Sequence, residues 1–153
     1  MLRRSGLLAA LLLSTTLCIP GHAAQDKPLT KSGKAWATVR KATQQDNLVA
    51  IELRFETDYA GYSGETVYEK LSDATADDVI YLTAGDKRFP LQRENGKIAA
   101  PSELKLKFNY DPAKNPRVGD WKAHFTAPPA NSADIMLVLP NVAPIGPIAI
   151  KNQ

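Results

Sequence analysis

Leu48–Glu56 reads LVAIELRFE. Val49, Ile51, Leu53 and Phe55 take every second place, and Ala50, Glu52, Arg54 and Glu56 fill the places between. In a strand successive side chains leave on opposite faces, so this run has a dry face and a wet one. A helix would scatter the same apolar residues round its circumference. The stretch is therefore read as a half-buried strand, and it sets the reading of its neighbours.

Upstream, Lys34–Ala42 carries Trp36 and Val39, and Gln44-Gln45-Asp46-Asn47 supplies polar turn residues. The two segments are expected to form a hairpin. Downstream, Val79–Thr83 (VIYLT) and Arg88–Gln92 (RFPLQ) flank the turn Gly85-Asp86-Lys87. Leu104, Leu106, Phe108 and Tyr110 alternate with Lys105, Lys107 and Asn109. Asp111–Gly119, with Pro112, Pro116 and Gly119, reads as a loop. Trp121, Ala123 and Phe125 then alternate with Lys122, His124 and Thr126. Pro128-Pro129 ends that strand, because proline has no N–H for the ladder. Ile135–Leu139 (IMLVL) is apolar on both faces, as a central strand would be, and Pro147–Lys151 (PIAIK) is the last strand. Only Thr66–Ala76 offers a helical candidate, short and mixed. About eight strands with regular turn signals predict an all-β fold, an immunoglobulin-like antiparallel β-sandwich of about 7–9 strands.

The N-terminus has a different character. Arg3 and Arg4 precede the apolar run Leu7–Leu13, and Pro20 and the small residues Gly21, Ala23 and Ala24 close it. A charged start, a short apolar centre and a small-residue end predict a secretory signal peptide. The run is too short to cross a bilayer, which takes roughly 20 residues, and no later stretch comes closer. Cleavage fits best after Ala23, with Gly21 at −3; cutting after Ala24 would put the bulkier His22 there. The expected organisation is a signal peptide at 1–23, a flexible polar lead-in at 24–33, and one sandwich domain at 34–153. Its expected place is the periplasm or the exterior.

Export changes the chemistry available. The one cysteine, Cys18, leaves with the leader. A lipid-carrying Cys18 would need a small residue before it, and Leu17 is large. Removing Arg3 and Arg4 from the 19 basic residues leaves 17 against 16 acidic ones. So balanced a surface carries no electrostatic footprint for nucleic acid, and no nucleic-acid partner is expected.

Trp121–Ile150 contains W-x3-F-x-A-P-P, then I-M-L-V-L-P, then P-I-A-I, and upstream stands Y-L-T-A-G-D-K-R-F-P-L. These resemble the closing strands and middle hairpin of exported bacterial immunoglobulin-like accessory domains. The resemblance covers about half of the mature chain. It implies the sandwich fold and carries over no catalytic residue.

Catalytic patterns are incomplete. Gly61-Tyr62-Ser63-Gly64-Glu65 lacks the last glycine of a G-x-S-x-G elbow, and such a serine needs a histidine to take its proton. With His22 gone, His124 is the one histidine, on the polar face of its strand. One histidine without a thiol cannot build the usual zinc or copper set. Asp73, Asp77, Asp78 and Asp86 lack the spacing of a calcium loop. Glu52, Glu56, Glu65 and Glu69 could supply a carboxylate pair, but no motif marks them. No enzyme activity, metal or cofactor is expected.

The candidate binding feature is Asp58–Lys70, DYAGYSGETVYEK. Tyrosine offers rigid area with a hydroxyl, and Gly and Ser let a loop adapt, the mixture used by binding loops on sandwiches. Tyr59, Tyr62, Ser63, Glu65 and Tyr68 are its candidate contacts; the competing reading has the tyrosines packing on the sandwich edge. The expected function is a non-enzymatic interaction module recognising a protein or envelope component. The alternative is an inhibitor or immunity-type protein that blocks an envelope hydrolase, with Glu65 mimicking a substrate charge.

Overall fold

A computed structural model describes residues 27–153. The expected signal peptide and its cleavage site lie outside the described residues. In chain order the elements are β1 (Ala35–Gln45), β2 (Leu48–Thr57), β3 (Glu65–Tyr68), α1 (Ala76–Val79), β4 (Tyr81–Ala84) and β5 (Lys87–Pro90). There follow β6 (Arg93–Glu94), β7 (Lys97–Ile98), β8 (Leu104–Leu106), β9 (Arg117–Thr126), β10 (Met136–Val138) and β11 (Lys151–Asn152). The fold is all-β, with several sheets and no barrel among the described residues.

The largest sheet has the order β11-β1-β2-β9. The alternating run forms its centre. Val49, Ile51 and Phe55 are fully buried and Leu53 is nearly so. Each such side chain contributes about 1.5–3 kcal/mol on leaving water. The β1–β2 hairpin closes at Asp46, whose φ of 52° suits a tight turn. On the other side of β2, Leu53 faces Trp121 and Ile51 faces Ala123 on β9. Trp121, Ala123 and Phe125 are buried, as their alternation with Lys122 and His124 predicts.

In β1 the inward residues are small: Ala35, Ala37 and Ala42. Trp36 and Val39 are only partly covered. The alternation breaks at a bulge. Val39 pairs with Leu53 and Lys41 with Glu52, so Arg40 is the extra residue. Arg40 and Lys41 are consecutive and both exposed.

The second sheet has the order β10-β4-β5. Gly85, at φ +61°, makes the turn between β4 and β5, a conformation that costs a side-chain-bearing residue more. Leu137 faces Leu82 on one side and exchanges two backbone hydrogen bonds with Ile145 on the other. The apolar segment expected as a central strand is thus flanked on both sides, though its regular part is only Met136–Val138. Leu82, Leu91 and Leu137 join the inward rows of β2 and β9 in one core.

Four expectations need correction. Thr66–Ala76 is not helical: Glu65–Tyr68 pairs with β8, and one helical turn follows at Ala76–Val79. Thr66 and Val67 are β-branched and Tyr68 is aromatic, which suits a pleated surface. Strands are more numerous and shorter than expected. One reason is the β6–β7 hairpin, turned by Asn95-Gly96 with φ of 52° and 78°, both positive as a type I′ turn requires. The Leu104–Tyr110 strand stops at Leu106; Phe108 is still buried but Tyr110 is 66% exposed. The described part of the lead-in is not loose. Leu29 bridges Trp36, Thr30 bridges Val142, and Lys31 N–H donates to the Asn141 carbonyl at 2.8 Å.

Candidate functional site

β2 ends at Thr57, whose hydroxyl donates to the Lys34 carbonyl and accepts the Tyr59 N–H at 3.0 Å. That side chain turns the chain out of the sheet and starts the loop Asp58–Gly64. Tyr59 lies edge-on to Phe108 with ring centroids 5.8 Å apart, and the Lys34 ammonium sits 4.3 Å from its ring centroid. Gly61 N–H reaches the Asn109 carbonyl at 3.3 Å. This bond holds the loop against the chain that leaves β8.

Two tyrosines meet there. The rings of Tyr62 and Tyr110 are 4.6 Å apart between centroids and tilted by 42°. Tyr62 is 76% exposed and Tyr110 66%. Tyr110 is positioned by Asn109, whose Oδ1 accepts the Asp111 N–H at 3.1 Å and whose Nδ2 donates to the Asn115 carbonyl at 2.8 Å. Ser63, next to Tyr62 in the chain, is exposed. The result is a ledge of aromatic faces and hydroxyls with the Lys34 cation at its inner end.

The other candidate residues lie apart from this ledge. Glu65 opens β3, and its carboxylate accepts from the Thr30 hydroxyl at 2.8 Å, the Ser32 hydroxyl at 2.6 Å and the Ser32 N–H at 3.1 Å. It binds the lead-in to the sheet. Tyr68 is only 7% exposed. Its hydroxyl donates to the Pro101 carbonyl at 2.9 Å and accepts from Trp121 Nε1 at 2.7 Å. Burial pushes its pKa up to about 12, against a smaller opposite pull from the Trp121 hydrogen bond. Tyr68 is a core residue.

The candidate serine and histidine are not brought together among the described residues. Ser63 follows the Thr57 end of β2, whereas His124 pairs with Ala50 near its start. Seven residues of strand separate those ends, on the order of 20 Å. Asp77 accepts from Arg93 at 2.7 Å and from Leu91 N–H at 3.2 Å, and Asp73 accepts from Ile98 N–H at 3.0 Å. Those acids anchor the β6–β7 hairpin. Among the described residues no group of three potential metal ligands comes together, and no helix is long and apolar enough to cross a membrane.

Sequence reasoning missed Tyr110 and Lys34. Tyr110 continues an inward alternation, but that rule lapses where the strand does. Asn109, with Asp111-Pro112 beginning two residues on, is a turn signal that could have shown the lapse. Lys34 had no local signal, since its place over Tyr59 depends on the β1–β2 pairing. Comparison with family models, curated proteins and solved structures finds no match to this chain.

Proposed function

We propose that this protein is a non-enzymatic, exported interaction module that contacts a protein or envelope component through the Tyr62–Tyr110 ledge, with Tyr59 and Ser63 beside it. The observation that carries the reading is the pair itself. Two tyrosines pack on each other at 4.6 Å while most of both rings stays in water. Stacking restrains both rings in advance, so little side-chain freedom remains to be lost on binding. Their hydroxyls and ring faces suit a partner that is partly polar. The scaffold reads as an immunoglobulin-like sandwich: the β11-β1-β2-β9 sheet, antiparallel except for the parallel β1–β11 pair, and the antiparallel β10-β4-β5 sheet share one core, and the loop leaves from the end of a central strand. Export rests on the tripartite N-terminus, and N-terminal sequencing of the purified protein checks it, with Ala24 expected first.

The functional test is a pull-down from envelope extract with the Tyr62→Ala/Tyr110→Ala double variant. Partner recovery is expected to fall at least tenfold, since aromatic hot spots are worth about 2 kcal/mol or more. His124→Ala serves as the control and retains the partner. Equal recovery with the double variant would refute the ledge as the contact.

A further inference from the structure

We propose that the outward face of the β1–β2–β9 sheet is a binding site for a phosphate group. This site lies on a different surface from the tyrosine ledge and does not depend on it. The face carries a groove of about 780 Å³ lined by Arg40, Lys41, Glu52, Arg54, Asp120 and Lys122.

Three observations converge there. First, the charges do not balance. Lys122 pairs with Glu52 at 3.1 Å, and Asp120 is taken by Arg117. Arg40, Lys41 and Arg54 have no carboxylate partner among the described residues. Second, Arg54 Nε is sealed from solvent and donates to no acceptor. A buried donor left unpaired is costly, so native structures seldom keep one without a reason. Third, the β1 bulge sets Arg40 and Lys41 together opposite Glu52. Regular alternation would have sent one of them inward. Bulges re-aim side chains in this way, and they gather beside functional sites.

The chemistry selects the ligand. A guanidinium presents Nε–H and one terminal N–H as a planar fork that matches two oxygens of an oxyanion. Because Arg54 Nε is sealed from solvent, the guanidinium would have to turn that fork toward the groove for a bound oxyanion to give Nε its missing acceptor. A carboxylate spreads a single negative charge over two oxygens, both of which face the fork, whereas phosphate carries more charge. A phosphate has further oxygens left for Arg40 and Lys41. Three uncommitted cations therefore fit phosphate better than carboxylate. The phosphate can belong to a soluble ester or to a lipid headgroup.

The test is an NMR titration of the full mature protein with inorganic phosphate at constant ionic strength, following the backbone amides and the Arg54 Nε–H signal. Phosphate should shift Arg54 Nε–H and the Val39–Lys41 amides saturably, and acetate should do so far more weakly. Arg54→Lys keeps the charge but loses the fork, and should weaken binding about tenfold or more. Arg54→Met removes the orphan donor and should abolish the shifts. The Arg40→Gln/Lys41→Gln variant, changed only at exposed positions, tests the site without touching the core. Phosphatidylglycerol vesicles separate the sources: sedimentation with them, reversed by free phosphate, assigns a headgroup, and phosphate shifts without sedimentation assign a soluble ligand. The proposal fails if phosphate gives no saturable shift, if acetate matches it, or if the Arg54 and Arg40/Lys41 variants titrate as the parent does.

Discussion

Tyr62 and Tyr68 stand in one stretch of similar composition, yet one is 76% exposed and the other 7%. The boundary between them is the start of β3. Before it, Asp58–Gly64 is attached mainly through Tyr59 and the Gly61–Asn109 hydrogen bond. After it, the backbone pairs with β8, Glu65 facing Leu106 and Tyr68 facing Leu104. Pairing turns Val67 and Tyr68 into the core and leaves Tyr62 outside. A tyrosine's role in this segment is thus decided by whether its backbone is in a ladder, and residue type is silent on it.

The sharpest way to break this contrast is to truncate both rings. Tyr68→Ala should cost about 3–5 kcal/mol in chemical denaturation, as large aromatic truncations in cores do. It also strips Trp121 Nε1 of its acceptor. A loss below about 0.5 kcal/mol would mean that Tyr68 is a loop residue after all.

The glycines on either side give a smaller contrast. A Cβ at Gly64 would stand 2.8 Å from the Leu106 carbonyl oxygen, which is backbone and held in the ladder. Gly64→Ala should therefore cost about 1–3 kcal/mol. A Cβ at Gly61 would meet the Tyr59 ring at 2.6 Å, but that ring can swing aside. Gly61→Ala should cost well under half as much in the same denaturation series.

Proton linkage sharpens the contrast further. Tyr68 has its pKa raised from 10.0 to about 12 in the folded protein. Between those values the unfolded chain releases the proton and the folded one keeps it. The native state then binds more protons, so stability falls as pH rises. The contribution is complete below the unfolded value and is lost as pH passes through the folded one. Parent and Tyr68→Phe should therefore diverge in melting temperature above about pH 10, with the variant less sensitive. Parallel curves would show that the hydroxyl is not buried.

The smallest stability effect belongs to the ledge. Tyr62→Ala should change unfolding free energy by less than about 0.5 kcal/mol, the range for exposed positions. If it costs as much as Tyr68→Ala, the ledge is structural and the proposed contact loses its basis.

Legibility in the sequence followed the same line between ladder and loop. β2 and the Trp121–Phe125 part of β9 were readable because one face of each is buried along its length, so the period of two is clean. β3 was not, because ETVYEK mixes charge with β-formers and its pairing partner lies well downstream. The β6–β7 hairpin carried a legible turn in Asn95-Gly96, but its flanks are polar and show no alternation. Of the candidate contacts, Tyr62 and Ser63 lie on the ledge, while Glu65 and Tyr68 are held by partners more than 30 positions away. No local pattern encodes contacts of that range. Arg54 looked like any outward strand residue, since an unmet donor shows only in three dimensions.

The pairing of β2 with β9 has a consequence for the order of assembly. β1 and β2 are adjacent in sequence and can zip together early, within the microseconds typical of hairpins. β9 must wait until the chain from β3 to β8 has been gathered in, and that loop closure is charged against the contacts it makes possible. Folding on the order of milliseconds to seconds is therefore expected in stopped-flow fluorescence of the Trp36→Phe variant, in which Trp121 is the remaining tryptophan. Throughout that interval the hairpin shows an unpaired edge and the bare row Val49, Ile51, Leu53 and Phe55. A second nascent chain could add to that edge, so refolding yield should decline as protein concentration rises.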